Sequence, residues 1–126
     1  MNTEKKNILV VDDVGSIRAF IKDLLEEANY GVTEAKDGEE AVEIYRQNKI
    51  DLIITDVYMP IKGGLEAIVE LRKEFPDAKS IVLSDGGDAH FENNREICEA
   101  LGANHFLSKS LIKEKLLSFV KELIGE

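Results

Sequence analysis

Short apolar runs alternate with longer segments of helical period along this chain. Five runs of strand character are bounded by polar or turn-forming residues, at positions 8–11, 32–35, 52–55, 81–83 and 105–107. The first, third and fourth runs are continuously apolar or β-branched, which is typical of strands buried on both faces of a parallel sheet. The pattern therefore predicts five strands in one buried sheet.

The segment after the first strand predicts the clearest amphipathic helix. Ser16 is its expected N-cap, and Gly31 follows its expected end. The apolar residues of this segment recur every three or four positions, as one face of a helix requires. They are Ile17, Phe20, Ile21, Leu24, Leu25 and Ala28.

Four more helices are expected, one after each remaining strand. The second begins at Asp37-Gly38, and the third ends at Phe75, because Pro76 disfavours helical angles in the residue before it. The fourth, which contains Phe91, Cys98 and Leu101, is the least regular, since Asn94 and Arg95 interrupt its apolar face. The inward residues of the others are Ala41, Ile44 and Tyr45 in the second helix, Leu65, Ile68, Val69 and Arg72 in the third, and Ile112, Leu116, Phe119, Val120 and Leu123 in the last.

Strands that alternate with helices predict a doubly wound α/β sandwich, in which helices cover both faces of a parallel sheet. With 126 residues the chain fits a single domain. We take residues 1–126 as that domain, with a core of about 6–124. An apolar content of 44% and a charged content of 33% are typical of a globular protein.

Charge and cysteine usage narrow the functional classes. The formal net charge is −9, which disfavours binding to nucleic acid or to an anionic membrane surface. Cys98 is the single cysteine, so an internal disulfide is excluded, and no apolar run approaches the roughly 18 residues of a membrane helix. Without a signal-peptide pattern at the N-terminus, the cytoplasm is the expected compartment.

Polar residues follow four of the predicted strands. They are Asp12-Asp13, Asp56, Ser84-Asp85 and Ser108-Lys109. Taken singly, each has an ordinary interpretation, as a turn former or as a solvated lysine. Because parallel strands end at one edge, where ligands bind in such sheets, their coincidence instead predicts a common pocket.

Crowded carboxylates need a positive partner. Two like charges about 4 Å apart cost on the order of 4 kcal/mol at an effective dielectric constant near 20. Mg²⁺ prefers carboxylate and phosphate oxygens, so we expect it among Asp12, Asp13 and Asp56. Zinc is not expected, because His90 and His105 are isolated in the sequence and His105 lies in a strand.

These motifs together resemble the receiver domains of two-component response regulators. The resemblance rests on "ILVVDDVGSIR", "DLIITDVYMPIKGG", "SIVLSD" and "GANHFLSKS", which span nearly the whole chain. It implies a flavodoxin-like (βα)5 fold with strand order 2-1-3-4-5. It is compatible with a stand-alone regulator of chemotaxis or sporulation type, or with part of a longer regulator.

The resemblance also implies the chemistry of the pocket. Asp56 would be the phosphoacceptor, receiving a phosphoryl group from a histidine kinase or a phosphotransfer protein. Asp13 would bind Mg²⁺ directly and Asp12 through water, while the Asp56 carboxylate and the Tyr58 backbone carbonyl complete the protein ligands. Such a domain is not an enzyme in the usual sense, since it phosphorylates and dephosphorylates only itself.

Three other positions would handle the phosphoryl group and transmit its presence. Ser84 and Lys109 would each contact a phosphoryl oxygen. Phe106 would turn into the space that Ser84 vacates, although plain core packing also explains an aromatic residue there. The weak fourth helix and Gly86-Gly87 are the expected moving parts, and the readout would be altered binding to a downstream protein.

The chain departs from the family at two positions, Ser110 and Asp85. Ser110 stands where proline usually follows the lysine in a cis bond, so we expect a trans bond with a shifted Lys109 or a strained cis bond. Ser110 would instead cap the last helix. Asp85 adds a fourth carboxylate where a small residue is usual, and Tyr58 lies where it would shield an acyl phosphate from water.

Two other functions remain alternatives. Ser110 and Asp85 raise the possibility of a protein-binding module that no longer depends on phosphorylation. A Mg²⁺-dependent phosphohydrolase with Asp56 as nucleophile is less favoured, because it needs a second acid and a substrate cap. Accumulation of a phosphoryl adduct on Asp56 distinguishes the receiver from both.

Overall fold

The computed structural model describes residues 5–57, 59, 61–85 and 89–125. For residues 89–94 it describes the backbone and not the side chains. Five strands and five helices alternate along the chain, and a short 3-10 helix, Lys109–Leu111, precedes the last helix. The strands are β1 (Asn7–Val11), β2 (Gly31–Ala35), β3 (Leu52–Asp56), β4 (Ser80–Ser84) and β5 (His105–Ser108). The helices are α1 (Gly15–Glu27), α2 (Gly38–Gln47), α3 (Gly64–Glu74), α4 (Ala89–Ala100) and α5 (Ile112–Ile124).

All strands are parallel and form one sheet in the order β2-β1-β3-β4-β5. This confirms the predicted fold class and strand order. The order reverses direction beside β1, so β1 and β3 lie side by side and their carboxyl ends open into the crevice where such sheets bind ligands. Asp12 follows β1 and Asp56 ends β3, which brings the two acids together.

Helices cover both faces of the sheet. Alternate residues of each strand point to opposite faces, so Ile8 and Val10 pack with α1 and α5, whereas Leu9 and Val11 pack with α2 and α3. A third apolar cluster lies between α3, α4 and β5. It contains Val57, Ile68, Val82, Cys98, Ala103 and Phe106.

The structure corrects several local predictions for α1. Ser16 is not the N-cap, because the helix begins at Gly15, two residues earlier than expected, and Val14 is its N-cap. Phe20, expected on the buried face, is 44% exposed, since it lies at the edge of the stripe formed by Ile21 and Leu25. The left-handed residue after this helix is Asn29, with φ of 72°, whereas Gly31 is already in β2.

The other helices follow the sequence pattern more closely. Asp37 caps α2 by accepting a hydrogen bond from the Glu40 backbone, and Phe75 is the C-cap of α3, as the following proline predicted. The irregular fourth segment is a helix of twelve residues, but Leu101 lies beyond its end and is 42% exposed. Gly125 ends α5 in the left-handed conformation that favours glycine.

Within the described residues, no helix is long and apolar enough to cross a lipid bilayer. The expected moving part at Gly86-Gly87 and the side chain of Phe91 lie outside the described residues.

Candidate functional site

Four strands deliver polar side chains to one edge of the sheet. Asp12 directly follows β1, Asp56 and Ser84 are the last residues of β3 and β4, and Lys109 directly follows β5. Their backbone positions follow from the strand register, because Thr55 pairs with Val11 and Ser84 pairs with Ser108. The polar residues of the predicted pocket therefore lie close together at this edge of the sheet.

Three carboxylates define the centre of the pocket. One oxygen from each of Asp12, Asp13 and Asp56 lies within 4.8 Å of the others. Asp12 is fully buried and Asp56 is only 9% exposed, whereas Asp13 is exposed. An oxygen-only set of this size suits a hard divalent cation that keeps some of its water ligands.

Lys109 places its ammonium group between two of these acids. Its Nζ lies 3.2 Å from Asp12 Oδ2 and 3.3 Å from Asp56 Oδ1, and the lysine side chain is only 18% exposed. No cis peptide occurs among the described residues, so the bond from Lys109 to Ser110 is trans. Of the two expected alternatives, a trans bond or a strained cis bond, the structure has the trans bond, and the amine still reaches both acids.

The environment raises the pKa of both members of this pair, Asp56 and Lys109, for different reasons. Burial raises the pKa of Asp56 to about 6, and Asp12 adds to the rise, while Lys109 and the Val57 backbone N–H oppose it. Burial alone would lower the pKa of Lys109, but Asp56 and Asp12 outweigh it and the pKa lies above its ordinary value. Burial therefore destabilises the ionised form of Asp56 in the folded protein, and a further cation nearby would stabilise it.

Asp12 is held at nearly every polar atom. Its Oδ1 accepts from the Val14 backbone N–H at 2.9 Å, and its carbonyl accepts from Arg18 Nη1 at 2.7 Å. Its own N–H donates to the Ala35 carbonyl at 3.2 Å. Oδ2 is the exception: it is buried, faces Lys109 as an ion pair and accepts no directed hydrogen bond from the described residues.

Asp12 Oδ2, a buried oxygen that lies beside two other carboxylates, is suited to bind a cation. Mg²⁺ prefers carboxylate oxygens as protein ligands, so among the described residues Asp12, Asp13 and Asp56 fit the ion. Tyr58, whose backbone carbonyl was expected to complete the set, lies outside the described residues.

Close packing behind Asp56 requires a glycine. A Cβ at Gly64 would lie 2.0 Å from the Asp56 backbone oxygen and 2.8 Å from Thr55 Oγ1. The start of α3 therefore lies against the end of β3, and Gly64 N–H bonds to the Val57 carbonyl at 3.0 Å. This contact explains the glycine that closes the stretch "DLIITDVYMPIKGG".

Ser84 and Phe106 lie on the neighbouring strands β4 and β5. Ser84 is 6% exposed, and its Oγ has no hydrogen-bond partner in the described part of the chain. Phe106 is 8% exposed and packs in the cluster with Val82 and Cys98. Both positions suit the predicted switch, and the switch itself stays a prediction.

The residues that depart from the family occupy distinct places. Asp85 Oδ1 is 4.0 Å from Lys109 Nζ, but its side chain is 97% exposed, so it points to solvent at the rim of the pocket. Ser110 does not cap the last helix, because α5 begins at Ile112 after Leu111. The Ser110 hydroxyl instead lies 3.0 Å from the Ser108 hydroxyl.

The histidines give no sign of a metal role among the described residues. His105 stacks on Phe119 with ring centroids 4.2 Å apart, and its Nε2 lies 3.0 Å from Glu122 Oε2. This is the structural role expected from its place in a strand. The side chain of His90 lies outside the described residues.

The sequence did not reveal the contact between Arg18 and Asp12. Arg18 lies on α1, six residues after Asp12, and its charge alone gave no reason to connect it to the pocket. Its position near the start of α1 could have indicated the contact, because the first turns of this helix lie close to the end of β1.

A parallel sheet of this order, with three clustered acids and a lysine at its carboxyl edge, defines an α/β protein with an acidic pocket that could hold a metal ion. Comparison with known proteins specifies the family. Residues 8–121 match the model of the response regulator receiver domain. The chain belongs to this family, as the resemblance predicted.

Individual relatives agree with this assignment. The chain is 36% identical over 121 residues to protein CcdB of Bacillus subtilis, covering 94% of this chain and 97% of that protein. It is 39% identical over 107 residues to the chemotaxis protein CheY of Thermotoga maritima, covering 82% and 85% respectively. The response regulator TrrA of Thermotoga maritima, solved in complex with Mg²⁺-BeF, superimposes with a TM-score of 0.83 at 36% identity, covering 94% of this chain and 98% of that one.

Receiver domains act in two-component signalling, where they interact with histidine kinases and downstream targets. The acidic pocket of Asp12, Asp13 and Asp56 fits the phosphorylation site of this family.

Proposed function

We propose that this protein accepts a phosphoryl group on Asp56 in a Mg²⁺-dependent reaction and thereby changes which proteins it binds. The observation that carries the proposal is the juxtaposition of three carboxylates within 4.8 Å with a lysine amine 3.3 Å from Asp56. The donor is a phosphohistidine of a histidine kinase or phosphotransfer protein, and the reaction takes place in the cytoplasm. The protein acts as an acceptor and switch, and its catalytic activity is limited to its own phosphorylation and dephosphorylation.

The chemistry is a single displacement at phosphorus. A carboxylate oxygen of Asp56 attacks, the P–N bond to the donor histidine breaks, and the electron pair of that bond leaves with the imidazole nitrogen. Asp12, Asp13, Asp56 and the Tyr58 backbone carbonyl would hold Mg²⁺, which supplies positive charge for the phosphoryl oxygens. Phosphoryl transfer depends mainly on such positioning and charge neutralisation.

Lys109 and Ser84 complete the environment of the product. The lysine amine lies between Asp12 and Asp56 and is placed to pair with a phosphoryl oxygen once Asp56 carries one. The buried Ser84 hydroxyl has no hydrogen-bond partner among the described residues, so it can donate to another phosphoryl oxygen without first losing a bond to them. Movement of Ser84 would open space for Phe106, which would transmit the change to the α4–β5 surface.

A small acyl-phosphate donor tests the proposal directly. The protein is incubated with the donor and Mg²⁺, and its intact mass is followed over time. We expect one phosphoryl adduct on the wild type and none on Asp56→Asn. Asp77→Asn, an exposed change of the same chemistry in the turn before β4, serves as the matched control and should retain the adduct.

Two outcomes favour the alternatives. A wild type that never carries an adduct, yet still binds its protein partner, supports a module that works without phosphorylation. Rapid release of inorganic phosphate from unrelated phosphate esters supports a phosphohydrolase. Either result rejects the phosphoryl-acceptor function.

A further inference from the structure

Arg18 makes an unusual contact for a cation beside a cation site. Its Nη1 donates to the carbonyl of Asp12 at 2.7 Å, and Asp12 is one of the three clustered acids. A guanidinium this close repels an incoming Mg²⁺ and so works electrostatically against the binding of the ion. Its presence there calls for a role other than neutralising the acids.

The turn after β1 needs support from outside itself. Asp56 is the last residue of the central strand β3 and pairs with Leu83 of β4, and the residue before it, Thr55, pairs with Val11 of β1. Asp12 and Asp13 lie beyond the end of β1, and Asp13 is exposed, so its direction depends on the backbone of the turn. The position of two of the three acids therefore rests on a few hydrogen bonds.

Those hydrogen bonds leave a single atom over. The Asp12 N–H, its Oδ1 and its carbonyl are each bonded, to Ala35, Val14 and Arg18 respectively. Only the last of these comes from a side chain, and Oδ2 is the Asp12 oxygen that makes no hydrogen bond to the described residues and faces Lys109. The contacts thus fix the rotation of the Asp12 carboxylate and the path of the chain into Asp13.

Arg18 is itself held in position. Its Nε lies 3.2 Å from Glu34 Oε1 on β2, and the arginine side chain is only 23% exposed. The guanidinium therefore links three elements: the edge strand β2, helix α1 and the turn after β1.

We propose that Arg18 is a positioning residue for the divalent-cation site, acting through the Asp12 carbonyl to fix the turn that presents Asp12 Oδ2 and Asp13. This inference rests on the proposed function, because it concerns the same cation. Residues that orient metal ligands from behind commonly change metal affinity by 10- to 100-fold when replaced.

Calorimetric titration with Mg²⁺ alone tests the inference on the wild type and Arg18→Met, which keeps the apolar stem and removes the guanidinium. We expect Arg18→Met to bind Mg²⁺ roughly tenfold more weakly, near the lower end of the usual range. Loss of a positive charge alone would tighten binding, so the sign of the change separates positioning from electrostatics. Equal or tighter binding in Arg18→Met overturns the inference.

Lys22→Met is the matched control. Lys22 lies one turn further along α1 and approaches the same Glu34, at 3.7 Å, but it has no contact with Asp12. The change removes the same charge from the same helix, and we expect Mg²⁺ affinity within twofold of the wild type. An equal loss in both variants would assign the effect to Glu34 and overturn the role of the Asp12 contact.

A second readout is the dependence of phosphorylation on Mg²⁺ concentration. If Arg18 only positions the cation ligands, Arg18→Met needs roughly tenfold more Mg²⁺ for half-maximal rate but reaches the wild-type rate at saturation. A lowered rate at saturating Mg²⁺ with unchanged half-saturation overturns the inference.

Folding of each variant is checked by thermal unfolding in EDTA. Should Arg18→Met not fold, Arg18→Gln replaces it, because it removes the same positive charge but keeps a polar end on the side chain; a weaker Mg²⁺ affinity is then expected, and equal or tighter binding overturns the inference. Failure of the proposed function looks different: the wild type itself then takes up no Mg²⁺ or no phosphoryl group.

Discussion

Asp56→Asn should make the metal-free protein more stable. Burial raises the pKa of Asp56 from 3.8 to about 6, so at neutral pH the folded protein holds a charge that the unfolded chain holds more easily. Asparagine resembles the protonated acid in shape and can still accept the Val57 N–H bond that Asp56 Oδ1 accepts at 2.9 Å. Lys109 keeps a partner in the variant, because its amine also lies 3.2 Å from Asp12.

The magnitude follows from the two pKa values. Their difference of about 2, at about 1.4 kcal/mol for each pKa unit, gives about 3 kcal/mol of added stability for Asp56→Asn at pH 7. The sign depends on pH in a defined way. Between pH 3.8 and 6 the folded protein binds a proton that the unfolded chain has released, so wild-type stability falls as pH rises through this window and the loss levels off above it. The advantage of the variant should therefore be about half as large at pH 5 as at pH 7.

Urea unfolding in EDTA at pH 5, 6, 7 and 8 measures this difference. Asp77→Asn is the matched control, and we expect it to stay within about 0.5 kcal/mol of the wild type, as exposed substitutions usually do. Addition of Mg²⁺ should narrow this difference, since a ligand that binds the folded wild type more tightly than the folded variant stabilises the wild type more by mass action. The reasoning is refuted if the wild type gains on Asp56→Asn as the pH rises in EDTA, or if the two have equal stability at pH 7.

Three further substitutions probe the packing and charges around the pocket. Gly64→Ala places a Cβ 2.0 Å from the Asp56 carbonyl oxygen and should lower the free energy of unfolding, measured by chemical denaturation, by about 3 kcal/mol or more. In the control Gly15→Ala the new Cβ meets only Arg18, at 3.7 Å, and stability should rise by about 0.5 kcal/mol. Similar values for the two variants would contradict the close packing behind Asp56. Ser84→Ala removes a buried hydroxyl that has no partner in the described part of the chain, so stability should stay equal or rise by up to about 1 kcal/mol while the adduct forms more slowly in the mass assay. An unchanged rate would remove Ser84 from the site. Lys109→Met leaves the buried acids without their cation and should cost about 3 kcal/mol in EDTA but much less in excess Mg²⁺; an equal cost under both conditions would argue against a shared role of lysine and metal.

Periodicity was enough to locate the secondary structure, because it reflects burial on one or two faces. The continuous apolar runs at β1, β3 and β4 are buried on both sides in the structure, as their composition predicted. Helix ends were less predictable. Ser16 and Ser110 both have side chains suited to capping, yet neither caps a helix, because a cap also needs the right backbone angles at one residue.

The centre of the pocket was predictable for a topological reason. Once strands alternate with helices, parallel order brings the residues after each strand to one edge, so Asp12, Asp56 and Lys109 had to lie near each other. The side-chain distances were not predictable in this way. A trans bond after Lys109 suggested a shifted amine, but four rotatable side-chain bonds let it reach both acids.

The order of residues along the chain thus determined the fold and the choice of acids, because both follow from burial patterns and strand direction. Tertiary structure decided what surrounds those acids. Burial gives Asp56 its raised pKa, Asp85 turns to solvent, and Arg18 reaches back from α1 to the Asp12 carbonyl. Such contacts depend on the exact separation of elements that are distant in sequence, and hydrophobic periodicity carries no information about that separation.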